Sequence, residues 1–139
     1  SKTAITITYK KYVQMIHKPK QCSTHIRIVI MSLQVLRDSV QRRKPISFHY
    51  NKPGKTPGER IGNVHAIFIM RKKDGTESTK LHIVQTSGVT DSEPDFPEFR
   101  MFDIESLSNI TILEGEPQFP INDKYNPEYD GYKNVIAKV

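Results

Sequence analysis

The sequence contains no tryptophan, a single cysteine and no long hydrophobic run. Because Cys22 has no second cysteine to pair with, disulfide-dependent secreted scaffolds are excluded and a cytoplasmic protein is favoured. The longest apolar stretch, Ile26 to Met31, is interrupted by Arg27 and is far shorter than the roughly 20 residues of a membrane span. We therefore expect no membrane partner.

The composition is that of one small, strand-rich domain with an uneven charge. The chain has 139 residues, of which 36% are apolar and 26% charged, and nine prolines outnumber seven glycines. Residues 1–80 carry 17 Lys and Arg against 4 Asp and Glu, whereas residues 81–139 carry 4 against 11. The first part is therefore where a surface for a phosphate-bearing partner is expected.

The first part of the chain is predicted to contain a strand, a linker and one helix. Residues 4–9, AITITY, alternate apolar and polar residues as a half-buried strand does. A linker follows, and Ile26 to Met31 fits a strand or a helix equally. From Ser32 onward, apolar residues at helical spacing and a basic end predict a helix. The prediction is an N-terminal extension over residues 1–31 and a folded domain over residues 32–139.

The remaining chain shows the two-residue period of short strands. The predicted strands are Ile46 to Tyr50, Arg60 to Met70, Ser78 to Thr86, Phe99 to Phe102, Asn109 to Leu113 and Val135 to Val139. Asp74-Gly75 is typical of a hairpin turn, so the second and third strands are expected to pair in antiparallel fashion. The predicted fold class is mainly β within α+β: a small antiparallel β-barrel preceded by one helix.

Four short motifs occur in an order that resembles the WYL domain, a family of bacterial and phage regulatory modules. They are Val64-His65-Ala66-Ile67, Gln85-Thr86-Ser87-Gly88, Leu107 to Leu113, and Tyr125-Asn126-Pro127. The resemblance covers roughly residues 32–139 and is closest to the short stand-alone WYL-like proteins. It implies an SH3-like or Sm-like barrel, and a regulatory or sensor role in which the barrel binds nucleic acid or a nucleotide-like ligand.

Two positions depart from the family pattern. The triplet that names the family corresponds to Thr79-Lys80-Leu81, in which only the leucine agrees. Asp103 stands where the family has a ligand-facing arginine. Any ligand is therefore expected at the hairpin tip, at Arg71, Lys72 and Lys73, rather than in the family's usual ligand site.

Sequence patterns for catalysis or metal binding are weak. Gly54-Lys55-Thr56 lacks the earlier glycine and the following helix of a P-loop, and the five histidines lack metal-ligand spacing. Cys22 and His25 have no evident orienting group. Asp103 and Glu105 fit a solvated face. We therefore expect a non-enzymatic protein without a cofactor.

Basic residues are the candidate ligand-binding groups. The candidates are Arg42, Arg43 and Lys44 after the helix, Arg60, and Arg71, Lys72 and Lys73 near the hairpin tip, together with His65. Clustered Lys and Arg attract phosphates, although helix ends and hairpin tips also carry ordinary solvated lysines. His65, which corresponds to a family histidine, fits a buried hydrogen bond better than a ligand contact.

Two functional classes remain open at this point. The first is binding of nucleic acid or a nucleotide-like ligand through a basic barrel face. The second is a protein-interaction module, in which the N-terminal strand or the barrel edge docks by strand addition on a protein partner or on a second copy of the chain. Phosphate binding should weaken steeply with salt, whereas strand addition should not.

The last 15 residues hold three tyrosines and a final apolar run. In the resembling short proteins, this segment follows the barrel strands. We predict that Tyr125, Tyr129 and Tyr132 cover an open barrel edge and that Val135 to Val139 adds a strand, because aromatic rings bury a large area at a small entropic cost.

Overall fold

The computed structural model of the protein describes residues 24–92 and 95–139. They form a helix, α1 (Thr24–Arg42), and six strands: β1 (Ile46–Tyr50), β2 (Glu59–Arg71), β3 (Glu77–Gly88), β4 (Glu98–Asp103), β5 (Leu107–Ile112) and β6 (Val135–Lys138). Two short 3-10 helices, Ile104–Ser106 and Asp130–Asn134, precede β5 and β6. Within these residues, no helix is long and apolar enough to cross a membrane. The strand expected at residues 4–9 lies outside the described part of the chain.

α1 begins eight residues before the predicted start at Ser32, and Ile26 to Met31 is therefore helical. The apolar side of the helix extends back to Val29, which is buried together with Leu33 and Leu36. Ser32 consequently lies inside the helix and does not cap it. The expected domain boundary between residues 31 and 32 thus falls within a continuous helix.

α1 ends in a backbone arrangement that turns the chain sharply into β1. Arg43 has a φ of 51°, its N–H donates to the Val40 carbonyl, and the Lys44 N–H donates to the Ser39 carbonyl. This is the Schellman pattern, in which a left-handed residue satisfies the last carbonyls of a helix. The basic residues after the helix are therefore part of its C-terminal cap.

The strands form one antiparallel sheet in the order β4-β3-β2-β1-β5, and β6 pairs with β2 outside that path. β2 organises the sheet because it pairs with three strands. One of its edges pairs with β3 from Arg60 to Arg71, and the other pairs first with β1 and then with β6. For residues 24–92 and 95–139, the mainly-β fold with one helix is confirmed. The described pairings form an open path, and closure into a barrel remains a prediction.

All six strands that the sequence predicts in the described residues are present, with ends that differ by at most two residues. The Asp74-Gly75 turn joins β2 and β3, and Gly75 has a φ of 88°. The Asp74 carboxylate accepts hydrogen bonds from the backbone N–H and the hydroxyl of Thr76. This side-chain turn explains why the dipeptide is a reliable hairpin signal.

The C-terminal segment is attached to the middle of β2. In β6, Ala137 lies opposite Ile67, which confirms the predicted terminal strand. Tyr132 is buried against Phe68, with ring centres 5.3 Å apart, and its hydroxyl forms a 2.6 Å hydrogen bond with His82 Nδ1. Part of the predicted tyrosine cluster therefore covers the outer face of β2.

Candidate functional site

A cleft of about 540 Å³ lies beside the first residues of β2, and we call it the Arg60 cleft. It is lined by Tyr50, Lys52, Lys55, Arg60, Thr90, Asp91, Ser92, Arg100, Met101 and Phe102. The lining residues come from the end of β1 and the loop after it, the start of β2, the segment after β3, and β4. Its size is within the range of sites for small molecules and cofactors.

Arg60 is buried within this cleft, with 3% of its side chain exposed. Its two terminal nitrogens donate to the Gln85 side-chain oxygen at 3.3 Å, to the Thr56 carbonyl at 3.2 Å and to the Asp91 carboxylate at 3.2 Å. The remaining nitrogen, Nε, is buried and has no hydrogen-bond partner among the described residues. An unpaired donor on a buried cation is costly, so the hydrogen bonding of Arg60 is incomplete among the described residues.

Two aromatic rings fix the guanidinium of Arg60 from the side of the core. Its central carbon lies 5.8 Å from the ring centres of both Tyr50 and Phe102. The two rings meet edge to face at 4.8 Å, and the Tyr50 hydroxyl accepts a hydrogen bond from the Asp103 N–H. Arg60 is therefore held in place by packing as well as by hydrogen bonds.

Gln85 positions a second arginine beside the first. Its side-chain oxygen accepts from Arg60 Nη1 and from Arg100 Nη1, the latter at 2.9 Å. Its amide nitrogen donates to the carbonyls of Ser87 and Val89, which fixes the orientation of the amide. Because one oxygen serves both guanidinium groups, the two arginines are held side by side at the cleft.

The carboxylates at the cleft are ionised at neutral pH. Hydrogen bonds from the hydroxyl and the N–H of Thr56, with a further contribution from Arg60, lower the pKa of Asp91 to about 2. Burial raises the pKa of Asp103, but hydrogen bonds from Lys52 and Lys80 outweigh this effect, so its pKa is lowered. Both groups are therefore fixed negative charges that partly balance the cations.

The basic group that caps α1 contacts another part of the same chain. Arg42 pairs with Asp38 at 3.0 Å and with Glu114, and Lys44 donates to the carbonyls of Glu114 and Glu116. Arg43 donates to the Gln118 side chain at 3.3 Å, and its carbonyl accepts from the Phe119 N–H. These contacts attach the segment after β5 to the helix end.

The third basic group lies at the other end of β2 from Arg60. Arg71 forms an ion pair with Glu77 at 2.6 Å, and Lys72 and Lys73 are exposed at the hairpin tip. The basic groups expected on one face thus lie at three separate locations, and Arg60 lines the cleft. Lys55, from the Gly-Lys-Thr stretch, also lines this cleft.

His65 lies outside the cleft lining and is completely buried. Its Nδ1 donates to the Asn63 carbonyl at 2.9 Å, and its Nε2 accepts from the Asn122 N–H at 3.0 Å. Burial lowers its pKa. Of the two roles considered for this residue, the geometry agrees with the buried hydrogen bond, and a direct ligand contact would need this pair of bonds to break.

Sequence patterns do not indicate several of the cleft residues, chiefly Gln85 and Arg100. Gln85 lies in a predicted strand and in a family-like motif, but its contact with Arg100 depends on the pairing of β3 with β4. The available sign of its role was that Gln85 is a polar residue within an apolar strand, since buried polar groups need hydrogen-bond partners.

No protein-family model matches this sequence, and no curated protein matches it either.

Proposed function

We propose that the protein is a non-enzymatic, WYL-like regulatory module whose SH3-like barrel binds a nucleic-acid or nucleotide-like ligand in the Arg60 cleft. The observation that supports this most strongly is the buried Arg60 guanidinium, which lines a cleft and has an unpaired Nε donor. A phosphate oxygen is a suitable acceptor because guanidinium groups bind phosphates through paired, charge-assisted hydrogen bonds.

The other lining residues suit the remaining parts of such a ligand. Lys52 and Lys55 add positive charge, and the hydroxyl groups of Thr90 and Ser92 can donate to further phosphate oxygens. Met101 contributes an exposed apolar side chain at the same cleft, on which a base or another apolar group can pack. The cleft thus combines charge for a phosphate with an apolar surface for an organic group.

The electrostatics favour binding over catalysis. A general acid or base works best with a pKa near the operating pH. Asp91 and Asp103 both have lowered pKa values and are held by hydrogen bonds from neighbouring residues. Their role in the proposal is to hold the cations in position.

Binding is tested by titrating a labelled single-stranded oligonucleotide and a fluorescent nucleotide at several salt concentrations. We expect affinity to fall as salt rises, with a slope of about −0.7 per phosphate neutralised for a single strand. Lys55→Gln together with Arg100→Gln should weaken binding at least tenfold, or about 1.4 kcal/mol. Lys72→Gln together with Lys73→Gln removes the same charge at the hairpin tip and should leave affinity nearly unchanged.

The matched pair of variants locates the site. If the tip variant loses binding and the cleft variant retains it, the ligand binds at the hairpin tip instead. If the wild-type protein binds none of the probes at low salt, the proposed function is wrong. Thermal melts of both variants check that each is folded.

A second candidate function is docking of a protein partner by strand addition. An apolar groove of about 290 Å³ lies between α1 and β5, and Ile28 and Met31 on its rim are 55% and 64% exposed. β5 is the last strand of the described sheet path, so its outer edge is available to an extended segment of a partner. A complex that survives high salt and is lost in Met31→Glu would favour this candidate.

A further inference from the structure

We infer that the Arg60 cleft recognises a terminal phosphate monoester, as carried by a mononucleotide or by the phosphorylated end of a strand, in preference to an internal phosphodiester. This inference rests on the proposed function and specifies the chemical group that the cleft selects. Two features of the cleft support it: the paired arginines and the excess of positive charge.

The paired arginines offer donors to more than one oxygen of the same phosphate. Arg60 and Arg100 both reach the Gln85 oxygen, so their guanidinium groups converge on one region. Arg60 Nε is unpaired. Arg100 Nε and Nη2 donate to the Glu98 carboxylate, and Nη2 also donates to the Ser92 hydroxyl, so a phosphate reaches these donors by displacing Glu98 and Ser92. A monoester presents three terminal oxygens, whereas an internal diester presents two, so convergent donors discriminate in favour of the monoester.

The charge balance also favours a doubly charged group. The described residues in and around the cleft include five cations, Lys52, Lys55, Arg60, Lys80 and Arg100, and three carboxylates, Asp91, Glu98 and Asp103. The excess is two positive charges. A phosphate monoester carries close to two negative charges at neutral pH, whereas a diester carries one, and the low exposure of Arg60 strengthens the attraction.

Asp91 demonstrates that Arg60 accommodates an oxyanion in this cleft. Its carboxylate lies 3.2 Å from Arg60 Nη2 and is oriented by the backbone and hydroxyl of Thr56. The carboxylate engages a terminal nitrogen and leaves Nε without a partner. A phosphate can therefore bind beside Asp91 and complete the hydrogen bonding of the same guanidinium.

The test uses short oligonucleotides of one sequence with a 5′-phosphate, a 3′-phosphate or hydroxyl groups at both ends, each with an internal fluorophore. Fluorescence anisotropy gives their affinities at low salt, and AMP, adenosine and inorganic phosphate serve as competitors. We expect a terminal phosphate to tighten binding by roughly tenfold or more. The advantage should shrink below about pH 6, where the monoester loses its second negative charge.

The competitors distinguish the two sources of the phosphate. If AMP competes at concentrations similar to the phosphorylated oligonucleotide and adenosine does not, the cleft accepts a free mononucleotide. If AMP competes poorly while a phosphorylated end still improves oligonucleotide binding, the ligand is a strand end. Either result supports recognition of a terminal monoester.

Variants separate this recognition from general attraction of charge. In Arg100→Gln the ratio of the affinities for phosphorylated and unphosphorylated strands should fall towards one. In Lys73→Gln, at the hairpin tip, this ratio should be retained. Arg60→Lys is a second variant, provided that its melt is cooperative. Equal affinity of phosphorylated and unphosphorylated strands would overturn the inference and leave the proposed function standing. Absence of binding by every probe would overturn both.

Discussion

His65 Nε2 accepts a hydrogen bond from the Asn122 N–H, while its Nδ1 donates to the Asn63 carbonyl. This arrangement requires the neutral imidazole with its proton on Nδ1, because a doubly protonated ring has no acceptor. The His65 carbonyl also accepts from the Val139 N–H. One residue of β2 therefore holds the C-terminal segment at two positions.

Acidification should destabilise the fold through His65. Burial lowers its folded pKa, so the unfolded chain binds the proton first as the pH falls through about 6.5. The free energy of unfolding should decrease below that pH, by up to about 1.4 kcal/mol per pH unit for this group. Urea unfolding between pH 7.5 and 5 measures the slope.

His65→Gln is the comparison for that measurement, because glutamine does not titrate. Its slope should be shallower than that of the parent, although not zero, because burial also lowers the pKa of His82. Identical slopes in the two proteins would show that His65 does not carry the pH dependence.

The hydroxyl of Tyr132 should contribute measurably to stability. Tyr132→Phe keeps the ring on Phe68 but removes the hydrogen bond to His82, which should cost about 1 kcal/mol. Tyr129→Phe is the matched control, because Tyr129 is 38% exposed and should tolerate the change. Chemical denaturation of the two variants compares them, and equal stabilities would argue against the His82 bond.

Gln85 should be important for both stability and binding. Gln85→Ala removes the shared acceptor of Arg60 and Arg100, and the resulting unsatisfied donors should cost about 1–3 kcal/mol. Ligand affinity should fall as well, since the two guanidinium groups lose their common anchor. Gln118→Ala, which removes an exposed glutamine, should have little effect on affinity. A stable Gln85→Ala protein with unchanged affinity would contradict the positioning role.

Two glycines with similar backbone angles allow a test of close packing at the start of β2. Gly88 has a φ of 98°, and a Cβ there would lie 2.4 Å from the Glu59 carbonyl oxygen and 2.7 Å from the Arg60 Cα. Gly54 has a φ of 82° with open space around it. Gly54→Ala should cost about 1 kcal/mol from backbone strain, whereas Gly88→Ala should cost considerably more. Equal melting temperatures would refute the close approach.

Local patterns in the sequence were sufficient to predict the strands and the hairpin. The alternation in Ile46–Tyr50 and the Asp74-Gly75 turn depend on neighbouring residues, and each is present as predicted. The predicted start of α1 at Ser32 is wrong because serine is a good capping residue, whereas the apolar residues before it continue the helix. Capping residues also occur inside helices, and here the burial of Val29 accompanies a helix that begins before Ser32.

The Arg60 cleft is harder to predict from the sequence than the fold is. Arg60 was selected as one of several basic residues, but its burial and its contact with Gln85 depend on strand pairing. Arg100 follows a long segment whose path no local pattern defines. Contacts between residues distant in the sequence therefore determine the cleft, and clusters of adjacent lysines and arginines do not predict its position.

The division of one edge of β2 between β1 and β6 has a consequence for the order of folding. The hairpin of β2 and β3 closes over a short turn, whereas Ala66 pairs with Lys138 near the end of the chain. Closing the longer loop costs more entropy, so we expect the hairpin to form early and β6 to be added late. The cleft is lined by residues between Tyr50 and Phe102, and its walls are therefore synthesised by the ribosome before the terminal strand emerges.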